Sequence, residues 1–203
     1  FWFLPACLAG YYLLVRSRAR HLLLTLVSYA FYGWANPAFM ALMLLSTLID
    51  YVCGLAMTGG LGRLADGDPP PLADGAPRSR RQRTALLVSI VSNLSLLGFF
   101  KYFNFGVDSW NATAAALGLS GLGLDLAFRV TLPLGISFYT FQSMSYSIDV
   151  YRGHARAITR FVDFACYVSM FPQLVAGPII RFSEVADQMR QRSHTLEKFA
   201  RGV

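Results

Sequence analysis

Charged residues are scarce in this chain. They make up 14% of its 203 residues, while hydrophobic residues make up 55%. A soluble domain usually carries about 25% charged residues. Too few polar side chains remain to cover a water-facing surface, which excludes an ordinary soluble domain.

Cysteine and histidine are also few, with three of each. Cys7, Cys53 and Cys166 lie apart in apolar surroundings and form no CxxC pair. We therefore expect buried free thiols, with neither a disulfide framework nor a metal site. The nucleophile motif GxSxG is absent, and no histidine is followed five positions later by aspartate. The usual motifs of soluble acyltransferases are thus missing.

Long apolar stretches are abundant, at 1–15, 22–34, 38–57, 85–100 and 130–150. A membrane-spanning helix needs about 20 apolar residues, with about 17 as the lower limit, and several of these stretches meet or approach that length. A signal peptide would account for one of them at most. The sequence predicts an all-α polytopic membrane helix bundle, with about five transmembrane helices in the lipid bilayer.

The basic residues follow a pattern typical of membrane topology. Segments 16–20, 63–83 and 152–160 hold three, five and three of the 18 basic residues. The connection 33–37 has no charge, and in 101–129 two basic and two acidic residues cancel. This alternation follows the positive-inside rule and predicts that the three basic segments are cytoplasmic. The net charge of +7 therefore indicates topology rather than binding to nucleic acid.

Local structure can also be predicted between and beside the apolar stretches. Segment 59–83 is dense in Gly, Pro and charge, which predicts a flexible cytoplasmic loop. Residues 84–100 predict a helix that ends in an aromatic cluster at the membrane interface. Residues 110–118 predict a short surface helix.

A sixth apolar stretch, 162–180, is interrupted by Pro172 and by the pair Gly177-Pro178. If it crossed the membrane completely, the five basic residues after it would lie on the outer side, against the positive-inside rule. Irregular backbone at membrane depth is tolerated where protein covers it. We therefore predict a re-entrant segment over 159–182, followed by a cytoplasmic amphipathic helix over 183–203.

Two sets of polar residues lie inside the apolar stretches. Thr140, Ser143 and Ser147 share one face of the predicted fifth helix, where they either line a cavity or bond to neighbouring helices. Asp50 and Asn93 both lie roughly 14 Å from the cytoplasmic face, counted along their helices. We expect Asn93 to be the partner of Asp50, with a protonated or water-exposed Asp50 as the alternative.

Several motifs resemble those of one enzyme family. They are LPLGISFYTFQ at 132–142, continued by SYSIDVYRG at 145–153, then FPQLVAGPIIRF at 171–182, with SYAFYGW at 28–34 and GFFKYFNFG at 98–106. In sequence and order they resemble the membrane-bound O-acyltransferases that acetylate bacterial exopolysaccharides such as alginate. The resemblance implies a partial fold of that family, with 1–203 forming the N-terminal part of a single transmembrane domain.

The resemblance also implies an activity. The family transfers an acyl group, usually acetyl, from a cytoplasmic thioester donor such as acetyl-CoA, which is a substrate rather than a permanently bound cofactor. The acceptor would be an extracytoplasmic polysaccharide or a periplasmic acetyl-transferring partner protein. The enzyme would be a multi-pass protein of the bacterial inner membrane.

The family's catalytic histidine lies in a later apolar helix. His21, His154 and His194 all border basic segments, and none lies deep in an apolar stretch. The chain also begins at Phe1 within an apolar run. We therefore expect it to be incomplete at both ends, with the catalytic histidine beyond Val203.

Candidate site residues follow from the same motifs. Five are candidates for lining the mouth of a substrate tunnel: Ser137, Tyr139, Gln142, Gln173 and Arg181. Three are candidates for binding the phosphates of the donor: Arg152, Arg156 and Arg160. Their i, i+4, i+8 spacing would place the three arginines on one face if the segment is helical, and the alternative is that they determine topology alone.

Two other classes of membrane protein compete with the enzyme. A transporter would also use broken helices with polar faces, although the chain contains no internal repeat. A non-catalytic assembly subunit is the other alternative.

Overall fold

The computed structural model describes residues 2–14, 17, 19–62, 67–119, 121, 123–124, 129–177, 180–190 and 200. Within these ranges the chain is all-helical, with no strand. The helices are α1 (Phe3–Leu13), α2 (Ala19–Ala35), α3 (Pro37–Thr58), α4 (Arg80–Ala116), α5 (Ile136–Arg152), α6 (Phe161–Ser169), α7 (Phe171–Ala176) and α8 (Phe182–Arg190). A 3₁₀ turn at Gly60–Gly62 follows α3.

Two helices, α3 and α4, are long and apolar enough to cross a membrane. The Asn36 side chain caps α3 by accepting the N–H of Ala38 at 2.9 Å, and Gly59 ends the helix with a φ of 71°. A capping box between Ser79 and Gln82 starts α4. The described residues thus contain two candidate membrane-spanning helices, while the count of five crossings stays a prediction.

Helix α4 is longer than the sequence predicts. It continues without a break through 37 residues, so the predicted short surface helix at 110–118 is wrong as a separate element. Neither Gly98 nor Gly106 interrupts it. The returning chain lies along its final turns, because Asn104 donates to the carbonyl of Val130 at 2.7 Å and accepts the N–H of the same residue at 3.0 Å.

A buried polar cluster joins α3, α4 and α5. Asn93 Nδ2 lies 2.9 and 2.8 Å from the two carboxyl oxygens of Asp50. The hydroxyl of Ser89 is 2.6 Å from the same carboxyl and 2.7 Å from the hydroxyl of Ser147. Asp50, Ser89 and Ser147 are fully buried. The predicted pairing of Asp50 with Asn93 is confirmed.

On the polar face of α5, one side chain forms a hydrogen bond to a neighbouring helix, and another has no hydrogen-bond partner among the described residues. Thr140, Ser143 and Ser147 are all buried. Ser147 bonds to Ser89 of α4, whereas the hydroxyl of Thr140 has no hydrogen-bond partner among the described residues. Interhelical bonding therefore accounts for part of this face only.

The segment from α6 to α8 passes along the bundle and comes back. Near its start, Asp163 contacts His21 at the beginning of α2 at 2.8 Å. Further along, the N–H of Phe171 donates to Ser28, in the middle of α2, at 3.3 Å. It then returns, and the N–H of Ser183 donates to Asp149, near the end of α5, at 3.0 Å.

We predict that Asp50→Ala destabilises the full-length protein. It leaves the amide of Asn93 and the hydroxyl of Ser89 without their buried acceptor, which costs roughly 1–3 kcal/mol. The melting temperature in detergent should fall for Asp50→Ala and for Asn93→Ala, and the double variant should fall by less than the sum of the two. Ser95→Ala, at an exposed position on α4, is the matched control. Additive losses would contradict a coupled pair.

Candidate functional site

Two of the stretches that carry the family resemblance, 132–153 and 171–182, pack directly against each other. The Tyr146 ring of α5 lies 4.9 Å from that of Phe182, which begins α8, and 4.4 Å from that of Phe164 in α6, centroid to centroid. The N–H of Phe182 donates to the Ser145 hydroxyl at 3.1 Å. This aromatic cluster brings 132–153 and 171–182 into one site although they are separate in sequence.

Glycine allows the close packing around Tyr146. A Cβ at Gly54 of α3 would lie 2.3 Å from the Tyr146 hydroxyl, which is closer than any side chain can approach. The same hydroxyl accepts the N–H of Ile158 at 3.3 Å. Tyr146 therefore ties α5 to α3 and to the segment that follows α5.

The five tunnel candidates do not share one environment. Tyr139 and Gln142 are buried on α5, and Gln142 Nε2 donates to the carbonyl of Tyr167 at 2.7 Å. Ser137 is half-buried in the first turn of α5, and Gln173 is half-buried on α7. Arg181 is exposed just before α8. The structure thus places Tyr139 and Gln142 in the interior of the bundle and Arg181 at its surface.

An open cavity of about 410 Å³ lies at the C-terminal end of α5. Its lining comprises Asp74, Gly75, Ala76, Arg78, Tyr151, Arg152 and His154. Three groups that are basic or can become so, Arg78, Arg152 and His154, thus face one acidic residue. This balance suits an anionic ligand.

Arg78 organises this cavity. Its guanidinium donates to the carbonyls of Tyr151 at 2.7 Å, Arg152 at 2.9 Å and Ala73 at 2.8 Å. Two of these carbonyls lie at the end of α5, where a cation also compensates the negative end of the helix dipole. Arg78 was not among the residues predicted from the sequence. Its only signal was its position in a basic loop, which it shares with four other arginines.

The three candidate phosphate-binding arginines do not lie on one helix, so the condition for a shared face is not met, and their role stays a prediction. Helix α5 ends at Arg152, and Gly153 follows with a φ of 92°. A Cβ at Gly153 would lie 2.1 Å from the carbonyl oxygen of Leu72, so only glycine fits there. Arg152 lines the cavity, Arg156 is exposed, and Arg160 lies 3.4 Å from Asp163.

Hydrogen bonds of Arg78 and of Asp68 join the described part of the basic loop, 67–79, to the bundle. Arg78 holds the end of α5, as above. Asp68 accepts the backbone N–H of Thr159 at 2.8 Å and its hydroxyl at 2.9 Å. The flexibility of 59–83 stays a prediction, and 63–66 lie outside the described residues.

The histidines and cysteines of the described residues lie in different surroundings. His21 Nδ1 contacts Asp163 at 2.8 Å and is only partly exposed, His154 is exposed, and His194 lies outside the described residues. Cys7, Cys53 and Cys166 are buried and free, as expected. In the part of the chain that the structure describes, no group of three His, Cys, Asp or Glu side chains could hold a metal ion.

The predicted amphipathic helix 183–203 corresponds in part to α8, and most of 191–203 lies outside the described ranges.

We predict that Arg78→Lys loosens the loop 67–79. A lysine presents all its donors from one nitrogen at the end of a flexible stem, and that nitrogen cannot span the three carbonyls that the planar fork of Arg78 reaches. Some of these bonds are therefore lost. Hydrogen exchange of the amides in 67–79 should become faster in the full-length protein. Arg80→Lys, at an exposed position two residues away, should leave exchange unchanged. Equal exchange in the wild type and Arg78→Lys would rule out this anchoring role.

Curated proteins align with this chain along its whole length, whereas no protein-family model and no solved structure matches it. It is 44% identical over 203 residues to a probable alginate O-acetylase of Pseudomonas syringae, and 42% identical over 202 residues to one of Pseudomonas aeruginosa. These alignments cover 100% of this chain but only 36% and 35% of the relatives. A peptidoglycan O-acetyltransferase of Helicobacter pylori is 27% identical over 96% of the chain, which spans 38% of that relative. The chain thus spans little more than a third of each relative's length.

Proposed function

We propose that this chain belongs to the membrane-bound O-acyltransferase family and forms part of an O-acetyltransferase of the bacterial inner membrane. The observation that carries the proposal is its identity of 40–44% over its whole length with proteins named alginate O-acetylase. The packing of 132–153 against 171–182 supports it, because the two family motifs then form one site. The acceptor would be an extracytoplasmic polysaccharide or a periplasmic acetyl-carrying protein.

The proposed enzyme crosses the membrane several times. Large apolar side chains are exposed along α3 and α4, and lipid or further helices would cover them. These residues are Leu44, Leu45, Leu48 and Val52 on α3, and Leu87, Val88, Val91 and Leu94 on α4. We extend the proposal to five crossings, formed by α1 to α5, and one re-entrant segment.

The contacts of α6 to α8 support the re-entrant segment. By the positive-inside pattern, the start of α2 and the end of α5 are both cytoplasmic. Asp163 contacts the start of α2, and Ser183 contacts Asp149 near the end of α5. Between them, α7 reaches the first turn of α5, where Leu174 lies against Gly135. A chain that enters and leaves on one side explains all of these contacts.

We predict that reporters fused after Arg160 and after Arg190 of the full-length protein report the same, cytoplasmic, side. A green fluorescent protein should fluoresce at both positions, and alkaline phosphatase should be inactive at both. A fusion after Gly118 serves as the matched control and should give the reverse result. Opposite locations for 160 and 190 would mean that α6 to α8 cross completely.

The cavity beside Arg152 is the proposed entry site of the donor. The phosphates of acetyl-CoA are anionic, and Arg152, His154 and the remaining N–H groups of Arg78 converge on one open cavity. Hydrogen bonds from a guanidinium to phosphate are charge-assisted and strong. From here the acetyl group would move along α5 towards Gln142 and Tyr139, with Ser137, Gln173 and Arg181 as further candidates at the tunnel mouths. Arg156 and Arg160, outside the cavity lining, would contribute to the field that attracts the donor.

The chemistry requires a base to take the proton of the attacking hydroxyl. A histidine titrates near neutral pH and suits this task. In keeping with the family resemblance, we propose that it lies outside these 203 residues. No contact among the described residues favours the transporter or the assembly-subunit alternative.

We predict that Arg152→Gln in the full-length enzyme raises the KM for acetyl-CoA about tenfold, with little change in kcat. A tenfold loss corresponds to about 1.4 kcal/mol, in line with one charged hydrogen bond. Transfer of labelled acetyl from acetyl-CoA to an oligosaccharide acceptor would give both constants. Arg156→Gln, also exposed but outside the cavity lining, removes only a contribution to the field and should raise the KM by less. An unchanged KM in Arg152→Gln would assign Arg152 to topology.

A further inference from the structure

The N-terminus of α5 carries hydrogen-bond donors that have no partner among the described residues. Gly135 precedes the helix with a φ of 73° and gives no side-chain cap. The N–H of Ile136 donates to Pro133, and that of Tyr139 donates to Gly135. Between them, the N–H groups of Ser137 and Phe138 make no backbone hydrogen bond to any described residue. The positive end of the helix dipole lies at the same place.

Two buried phenols converge on this helix end. Tyr32 of α2 is 5% exposed and Tyr139 is 2% exposed, and neither hydroxyl has a hydrogen-bond partner among the described residues. The Tyr32 hydroxyl lies 3.1 Å from the point that a Cβ on Gly135 would occupy. Tyr139 is one turn further on, and helical side chains lean towards the N-terminus. Buried hydroxyls are nearly always paired, so two unpaired ones together indicate a missing partner.

The arrangement defines what that partner must be. The Ser137 and Phe138 N–H groups can only donate, and the two phenols are free to do so. The helix dipole adds partial positive charge. A ligand that accepts hydrogen bonds through an oxygen fits this set, whereas a cation does not.

We propose that Tyr32, Tyr139 and the first turn of α5 bind the carbonyl oxygen of the acetyl group while it is transferred. The inference rests on the proposed function and adds a catalytic group to it. The acceptor hydroxyl oxygen bonds to the carbonyl carbon, and the electron pair of the C=O bond moves onto the bound oxygen. When that oxyanion collapses, the C–S bond breaks, and the thiolate leaves with its electron pair and takes up the proton that the hydroxyl lost. Donors already aimed at the oxyanion stabilise this step without reorganisation.

Gly135 is required at this place for two reasons. Its positive φ strains any other residue. A Cβ would also lie 3.1 Å from both the Tyr32 hydroxyl and the carbonyl oxygen of Leu174, and so would occupy the space in front of the donors. The glycine thus leaves the position beside the Tyr32 hydroxyl free of a side chain.

The test uses Tyr32→Phe, Tyr139→Phe and the double variant in the full-length enzyme with acetyl-CoA and an oligosaccharide. Loss of one oxyanion donor lowers kcat by about 100-fold or more in other acyl-transfer enzymes. We expect a fall of at least tenfold in kcat for each variant, with little change in the KM for acetyl-CoA. The melting temperature should not fall, because each variant removes a buried hydroxyl that has no partner. Tyr102→Phe, at an exposed position on α4, is the control.

A spectroscopic readout separates this inference from the proposed function. With acetyl-CoA labelled with ¹³C at the carbonyl and no acceptor present, the infrared C=O band of the bound donor should lie at lower frequency in the wild type than in the double variant. A wild type that transfers acetyl while the variants keep the same kcat and the same band would overturn the inference alone. A wild type that neither binds acetyl-CoA nor transfers acetyl would instead overturn the proposed function. Variants that lose kcat only because their melting temperature falls would show a packing role and also overturn the inference.

Discussion

The buried carboxyl group of Asp50 is the constraint on which the bundle depends. A hydrocarbon environment supplies no water, so a polar group at this depth must find its partners in the protein. Asn93, Ser89 and, through Ser89, Ser147 supply them from two other helices. A slip of one residue in any of the three helices would turn a member of the cluster away. The cluster therefore sets the register of α3, α4 and α5 together.

Once α5 is held in this way, its two ends and the chain that follows have fixed positions. Tyr146, one residue before Ser147, packs against Gly54, Phe164 and Phe182. This packing brings α6 and α8 onto the side of α5 adjoining the polar cluster. The polar cluster fixes the register of α5, and the rings around Tyr146 then fix where α6 and α8 pack. The position of the site formed by 132–153 and 171–182 therefore depends on the polar cluster.

The sequence predicted a contact whose two residues can be matched by their distance along each helix from the membrane face. Depth counted from the basic loops paired Asp50 with Asn93, because rise per residue converts position into height in the membrane. It did not predict the length of α4, which was expected to end at 100 but continues through Gly106 to Ala116, whereas α5 ends at Arg152 before Gly153. The difference lies outside the helix, since the Leu72 carbonyl packs against Gly153 and no described atom lies within 4 Å of a Cβ at Gly98 or Gly106.

Two residues of the candidate site were beyond local sequence reasoning for a related reason. Arg78 matters because α5 ends beside it, and Tyr32 matters because Gly135 begins α5 beside it. Each contact joins positions about 70 or 100 residues apart, as their numbering shows. Neither residue type is unusual in its own segment, an arginine in a basic loop and a tyrosine in an apolar helix. Only the tertiary structure distinguishes them from their neighbours.

The contrast between the two ends of α5 bears on function. Every helix leaves its first N–H groups and last carbonyls without partners inside the helix. At the C-terminal end of α5 the protein itself supplies the partner, because Arg78 bonds to the carbonyls of Tyr151 and Arg152. At the N-terminal end no side chain caps the helix, and two buried phenols add further unused donors. The protein therefore supplies partners at one end of α5 and leaves donors at the other, and the proposed ligand would supply the missing partner there during the reaction.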